Sequence, residues 1–559
     1  MGYPLISLET FDNDSKLSFD PYSSIYSLDV VRATSPAQES RVHLVEGEQT
    51  NNEPPWQPSV RDWLIFCCVI VLAMMDAFDA TILIPSLPHL ANTFDKPLVL
   101  TFWVNTSYLM LSAASQPFFT MMCEVLSQGP VWIIAVVCTT IGTGVCSGSM
   151  TLAELIVGRL IQGIGGGGAM SLCFVVMAET VPPTVHSRYS CYILLTRLIG
   201  VILGPIVGGL FVDYTHWTWS FYFNFIFCAL GLLGIPFAVD LRGSKNIPLG
   251  KMRVLDWIGA ALAFLGPAGI VVGVSWGGVL YQWTSWQTLL PIAVGAVIFM
   301  LLVVYEVKWA THPQFGATVF RTRPMLMTYI GYFCHGFVVF CQLQFLVIYF
   351  MTNQYFSSTI SAVALLAIGG IAIAPAAVVG TLLAKEPRCT QWLISGGWLI
   401  TTAAAGCSIL LDPTTPIVGW VFLMLSAGLG HGVLLSSYNI RVQELLLDQG
   451  GFFSTKPSMM SLYMRSWGMA AAVPTGGVVF LNFFGKELEK IALDAGIINQ
   501  ANGYLLLMEQ VQMSDHEREA IKEATALALR VVWEVITGVA AVGGISSAFL
   551  WEKKRTSKI

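Results

Sequence analysis

Residues 189–212 read YSCYILLTRLIGVILGPIVGGLFV. The run carries one charge, Arg197, and is long enough to cross a bilayer core, which takes roughly 20 apolar residues of helix. Gly200, Gly204 and Gly208 stand four apart, so one face of such a helix lets another backbone touch it closely, and Pro205 bends it. Comparable runs lie near 63–85, 99–123, 131–150, 153–178, 219–239, 255–276, 287–307, 325–351, 360–384, 391–411, 416–440, 459–484 and 530–551. The reading is therefore an all-α, polytopic membrane protein of about fourteen spans. The seventh and eighth also fit peripheral helices.

Composition agrees. The 559 residues are 55% hydrophobic and 11% charged, against roughly 25% charged in soluble domains. The 51 glycines and 17 tryptophans suit membrane helices and their interfaces. A soluble multidomain chain, a disordered chain and a secreted disulfide scaffold are excluded. The net charge of −5 offers no basic face, so no nucleic acid is expected as a partner. The 12 cysteines form no C-x-x-C pair and no zinc spacing, and read as buried thiols.

Charge also orients the chain. Basic residues concentrate in short cytosolic loops. With the N-terminus inside, Arg61, Arg188, Arg242, Lys245, Lys251, Arg253, Lys308, Arg321, Arg323, Lys385, Arg388, Arg441, Lys456 and the 553–559 tail are cytosolic, and the short outer loops hold only Lys96. Both termini are thus expected inside. Residues 1–60 hold nine acidic and three basic residues without a leader pattern, and read as a disordered cytosolic tail. Residues 61–240 are expected to form one six-helix bundle and 325–552 a second, with two inserted helices in 241–324. Within the second, 485–529 reads as a long outer loop. Ser514-x-x-Glu517 is a capping box that opens a short amphipathic helix there.

Several stretches carry a family pattern. Gly200-x-x-x-Gly204-Pro205-x-x-Gly208-Gly209 resembles the antiporter signature of the major facilitator superfamily, and Trp217-x-Trp219-Ser-Phe221-x-Phe-Asn224 follows it. Asp79-Ala-Thr81-Ile82 through Pro88 resembles the span-1 motif of that family, and Gly158-Arg159-x-x-Gln162-Gly163 with Gly165 to Gly168 its span-4 motif. Tyr463-x-Arg465-Ser466 with Gly476-Gly477, His335-Gly336, Ala374-Pro375-Ala376-Ala377, Gly397-Trp398 and Val532-Trp533 resemble the fungal 14-span type. The resemblance covers about 61–551 and implies the major facilitator fold and a drug:proton antiporter. One stretch departs. Where the family has G-x-x-x-D-x-x-G-R-K/R between spans 2 and 3, this chain has Thr120-Met-Met-Cys-Glu124-Val-Leu-Ser127-Gln128-Gly129. Glu124 keeps the acid of that gating loop, while both glycines and the basic pair are gone.

An ionisable group at mid-bilayer costs at least about 2.5–3.5 kcal/mol on insertion scales, so the few that remain inside the spans are informative. Asp76 and Asp79 share nearly one face of span 1. Arg159 enters on span 4 from the other side, at a depth overlapping that of Asp79. Burial favours a neutral carboxylate and a nearby guanidinium favours the charged one. Motion of Arg159 relative to Asp79 or Asp76 would then couple to a proton; the alternative is a static Asp–Arg pair pinning spans 1 and 4. Gln162, Arg197, His335, Gln342, Gln344 and Arg465 are candidates for a substrate cavity near the midplane. His335 and His431 also fit plain interhelical hydrogen bonding. The aromatic run Tyr329, Tyr332, Phe333, Phe337, Phe340 and Phe345 fits core or lipid contact as well as a cavity wall.

No phosphate-binding loop, catalytic cluster, metal set or cofactor motif stands out. The expectation is therefore a monomeric proton-coupled exporter of small, largely apolar organic compounds, not an enzyme. Its partners would be substrate, protons and the lipid of the plasma membrane, or of a vacuole or vesicle. A siderophore importer of the same fold and a non-transporting sensor are the alternatives.

Overall fold

The computed structural model describes residues 56–182, 185–239, 255–315, 322–366, 369–384, 387–447, 455–490 and 514–550. Most of the tail expected over 1–60, the end 553–559 and the middle of the 485–529 loop lie outside the described residues, as do Arg242, Lys245, Lys251, Arg253, Arg321 and Lys385.

Sixteen α-helices follow one another in the described residues, and no β-strand occurs among them beyond an isolated bridge at Gly277 and Tyr281. α1 (Val60–Thr81), α2 (Leu87–Thr93), α3 (Leu98–Leu126), α4 (Gln128–Ser147), α5 (Leu152–Thr180), α6 (His186–Tyr214) and α7 (Trp219–Ala238) build the first half. α8 (Trp257–Trp276) and α9 (Trp286–Lys308) are the inserted pair. α10 (Arg323–Asn353), α11 (Ser358–Ala364), α12 (Ala374–Leu383), α13 (Pro387–Ser408), α14 (Ile417–Leu447), α15 (Thr455–Lys490) and α16 (Asp515–Ala548) build the second. Among the described residues, twelve helical segments are long and apolar enough to cross a membrane, which makes this a multi-pass membrane protein. The eleventh expected span is the 22-residue α13. The tenth is broken into α11, a π-helical turn at Gly369–Ile373, and α12, with Pro375 in the first turn of α12.

Local chemistry sets the helix starts. Ser59 with Asp62, Thr151 with Glu154, and Ser514 with Glu517 form complete capping boxes. The last of these lies where it was expected, but its helix does not stop. No glycine or proline interrupts 515–537, so α16 runs unbroken for 34 residues and merges the expected amphipathic helix with span 14. α15 is equally overlong at 36 residues, or ~54 Å at 1.5 Å per residue.

The first half packs α3 and α4 on α5, and α1 on α6 and α7; the second packs α10 on α15 and α16, and α14 on α12 and α13. Across the seam, α3 meets α15 while α6 meets α11. The second pass of each half thus meets the fifth pass of the other, the reciprocity that a two-fold relation between the halves produces. α8 packs on α15 and α3, and α9 chiefly on α8, so α9 is the outermost helix. α8 and α9, at 20 and 23 residues, are both long and apolar enough to cross a membrane. The exposed Leu289, Leu290, Val297 and Met300 of α9 face outward, as a lipid-contacting surface requires.

Candidate functional site

The site begins with a break in α1. Pro85 has no N–H and Pro88 follows it, so the helix ends at Thr81 and gives way to a short 3-10 turn at Ile84–Ser86. A helix end leaves carbonyls without intrahelical partners. Arg159 takes one of them: its Nη2 donates to the Asp79 carbonyl oxygen at 2.7 Å. A cation at a helix C-terminus also suits the macrodipole. The guanidinium is completed by the Val104 carbonyl (3.1 Å), Gln162 Oε1 (2.7 Å) and Asn105 Oδ1 (3.3 Å), and lies 4.2 Å from the Tyr108 ring centroid. Arg159 and Asp79 do meet at one depth, but through the backbone; the expected carboxylate–guanidinium contact does not form.

The Asp79 carboxylate is held by two amides instead. Gln162 Nε2 donates to Oδ1 at 2.8 Å and Asn224 Nδ2 to Oδ2 at 2.9 Å. Both amides also reach Thr143 Oγ1, at 2.9 and 3.3 Å. Glycines make this convergence possible. A Cβ on Gly142 would strike the Gln162 backbone, and one on Gly165 the Ala135 carbonyl oxygen. α4 and α5 therefore touch backbone to backbone and bring Thr143 beside Gln162. Gln162 is thus an Asp79 ligand and does not line the central cavity.

Asp76 has a different partner. Arg197 Nη2 lies 2.9 Å from its Oδ2, and Tyr108 OH donates to its Oδ1 at 3.1 Å. The ion pair is buried on both sides, yet Asp76 Oδ2 and Arg197 Nε and Nη1 make no aligned hydrogen bond. Two carboxylates one helical turn apart on α1 are therefore held in two ways: Asp79 by neutral amides from α5 and α7, Asp76 by a guanidinium from α6.

The antiporter-type glycines explain how α6 comes so near. Cβ atoms on Gly200, Gly204 and Gly208 would collide with Ala77 or Met74, Thr81 and the Ile82 carbonyl oxygen. Gly209 faces the other way, against Ser358 and Thr359 of α11. With Pro205 inside α6, the motif packs α6 on α1 with one face and on the opposite half with another.

Between the halves lies a small cavity of about 50 Å³, lined by Arg197 and Val201 from α6, Gln342 from α10, His431 from α14, and Arg465 and Met469 from α15. Of the expected cavity residues, Arg197, Gln342 and Arg465 line it. His335 and Gln344 do not. His335 packs edge-on against His431, with centroids 5.4 Å apart, and its Nε2 has no partner. Gln344 is buried with its Oε1 unpaired. His431 Nε2 and Gln342 Oε1 lie 2.7 Å apart. Drug-sized pockets measure about 300–1,000 Å³, so the halves are nearly closed on each other here. The aromatic run divides: Phe340 lines this cavity, and Phe333 lines an apolar one of about 280 Å³ between the inserted helices and the second half. Phe345 packs against Phe102 and Phe480.

Glu124 is exposed near the end of α3 and makes no hydrogen bond or ion pair among the described residues. The loop after it is the single residue Ser127, with φ 74°. The residues that sequence reasoning missed are Asn224, Thr143, Tyr108 and Asn105. Asn224 and Asn105 had a signal, a carboxamide inside an apolar span. The Thr and Tyr had none, because such side chains are commonplace in membrane helices.

A twelve-or-more-span helical protein with two reciprocally packed halves and buried charges at their seam has the architecture of a secondary transporter. The sequence profile of the Major Facilitator Superfamily matches residues 69–253. The chain is 28% identical over 501 residues to the MFS transporter L2 of a Phoma species, covering 89% of this chain and 83% of that one. It is 26% identical to the MFS efflux transporter aclA of Aspergillus oryzae, covering 89% and 90%. A crystal structure of the human organic anion transporter MFSD10 shares the fold at a TM-score of 0.52 and 17% identity, covering 89% of this chain and all of that one. The chain thus has the major facilitator fold, and the relatives it resembles over most of its length are membrane transporters of that superfamily, not enzymes.

Proposed function

We propose that this transporter exports small, largely apolar organic compounds in exchange for protons, by alternating access. The observation that carries the reading is the pair Asp76 and Asp79, buried on α1, with Asp76 bound to a cavity-lining arginine at 2.9 Å. A proton taken up by Asp76 would release Arg197 toward the cavity. One taken up by Asp79 would turn an acceptor facing two amide donors into a donor, and so loosen α1 from α5 and α7. Each change links protonation to the packing of the helices that form the seam. The efflux names of fungal relatives such as aclA favour export over import. The excess of Lys and Arg in alternate short loops favours cytosolic termini, and the plasma membrane is the proposed location. One proton moved through 100 mV supplies about 2.3 kcal/mol, enough for appreciable accumulation.

The test is flux in proteoliposomes under an imposed pH gradient, using labelled apolar compounds. Asp79→Asn, verified as folded, should abolish gradient-driven flux while leaving exchange down a substrate gradient. Unchanged proton-driven flux in that variant would overturn the assignment of Asp79. Flux with the gradient rather than against it would indicate an importer, and pH-independent retention of every compound a sensor.

A further inference from the structure

The charges buried at mid-depth in the spans do not balance. Setting aside span ends, they are the carboxylates Asp76 and Asp79 and the guanidiniums Arg159, Arg197 and Arg465. Arg159 is satisfied by carbonyls, carboxamides and a tyrosine ring, and Arg197 has Asp76. Arg465 has nothing of the kind. Its Nε is buried without a partner, and its guanidinium makes no hydrogen bond or ion pair with any described residue. Its partial exposure opens onto two internal cavities, the central one and a smaller one beneath it lined by Tyr332, Asn439 and Ser461. No carboxylate lines either. The nearest polar neighbours across the central cavity are Arg197 and the His431–Gln342 pair, whose facing atoms already engage each other at 2.7 Å.

A charge buried without a partner costs several kcal/mol unless a counter-charge reaches it. Among the described carboxylates, Asp76 acts on it only from a distance and is already paired with Arg197, and the cavity gives a dedicated counter-charge access from outside. A planar guanidinium with free donors matches a carboxylate or a delocalised oxyanion in a two-pronged contact, which a point-like ammonium does not. Leu198, Val201, Phe340, Leu343 and Met469 complete the wall and suit an apolar body behind such a head group. We infer that the transported compounds are organic anions, an acidic group on an apolar skeleton, and that Arg465 is the residue that receives the anionic head. This rests on the central cavity being the transport site. It narrows the substrate class from apolar compounds in general to apolar acids.

The test is binding, which needs no gradient. The full-length protein in detergent is titrated with 2-naphthoate and decanoate, then with methyl 2-naphthoate and (2-naphthyl)trimethylammonium, reading ligand-dependent thermal stabilisation. The carboxylates should bind about tenfold or more tightly than the ester and the cation, as a charge-assisted two-pronged contact provides. Arg465→Gln should bring carboxylate and ester to parity, and Arg465→Lys should leave a reduced preference. Equal binding of ester and carboxylate to the wild type overturns the inference, and so does an unchanged ratio in either variant. If Arg465→Gln does not fold, the Lys variant decides alone. A carboxylate preference that depends on Arg465, found together with the absence of proton-driven flux, would overturn the transport mechanism and leave the anion site standing.

Discussion

At the residue scale, Ser127 pays the conformational cost of a position built for glycine. It stands where the related gating loop has its second glycine, and it takes φ 74° and ψ 160° between α3 and α4. That region is essentially glycine-only, and holding another residue there costs about 1–3 kcal/mol. Its hydroxyl offers no compensation, since Ser127 Oγ is buried without a partner. Glycine loses about 0.5–1 kcal/mol in chain entropy, less than most of the strain range. Ser127→Gly should therefore raise the midpoint of thermal unfolding in detergent; a lower midpoint would show that the turn is not strained. The same scale shows what the sequence disclosed of the site. Asp76, Asp79, Arg159 and Arg197 stood out because charge is rare in these spans. Their partners did not follow from spacing. Depth alone placed Arg159 beside Asp79 but could not say that the break at Pro85 frees a carbonyl for it, nor that α6 approaches closely enough for Arg197 to take Asp76.

Elements meet here through what side chains leave out. Gly208 is the sharpest case, because a Cβ there would fall on the Ile82 carbonyl oxygen. That atom belongs to backbone and cannot swing away, so α6 itself must shift. Overpacking of this kind costs about 1–3 kcal/mol, and the shift would also lengthen the 2.9 Å contact between Arg197 and Asp76. Gly208→Ala should lower both thermal stability and flux. Gly396 is the control: it lies inside α13 with nothing within 4 Å of an added Cβ. Gly396→Ala should be neutral or stabilising by about 0.5–1 kcal/mol, with flux unchanged. Equal losses in both variants would mean that helix propensity, not helix contact, governs the response. The glycine ladder could be read from the sequence as a close-packing face. Which helix it faced could not, nor that Gly209 turns away to the other half.

At the scale of the whole molecule the seam is tied on both sides of the central cavity. On the side where α6 ends, His89 Nε2 lies 3.2 Å from Ser358 Oγ, and Asp213 Oδ2 accepts the Thr359 N–H at 2.8 Å. On the side where α6 begins, Asn439 Nδ2 and Thr381 Oγ1 both donate to Cys191 Sγ, at 3.4 and 3.7 Å. Between them, Gln116 Nε2 donates to Ser466 Oγ at 2.8 Å, joining α3 to α15. The apolar runs disclosed the helical segments, because hydropathy is local. This closure was not legible, since it depends on residues 146–350 positions apart. If access alternates, each tie must open in turn, and few polar contacts hold either. Bridging His89→Cys to Ser358→Cys with a cleavable bifunctional thiol reagent should then stop flux. The background needs the exposed Cys67, Cys389 and Cys407 replaced by Ser. Substrate binding from the side of α1's start should survive, since the ties there are untouched, and reduction of the bridge should restore flux. Flux that persists through the bridge would mean that this side does not open during the cycle.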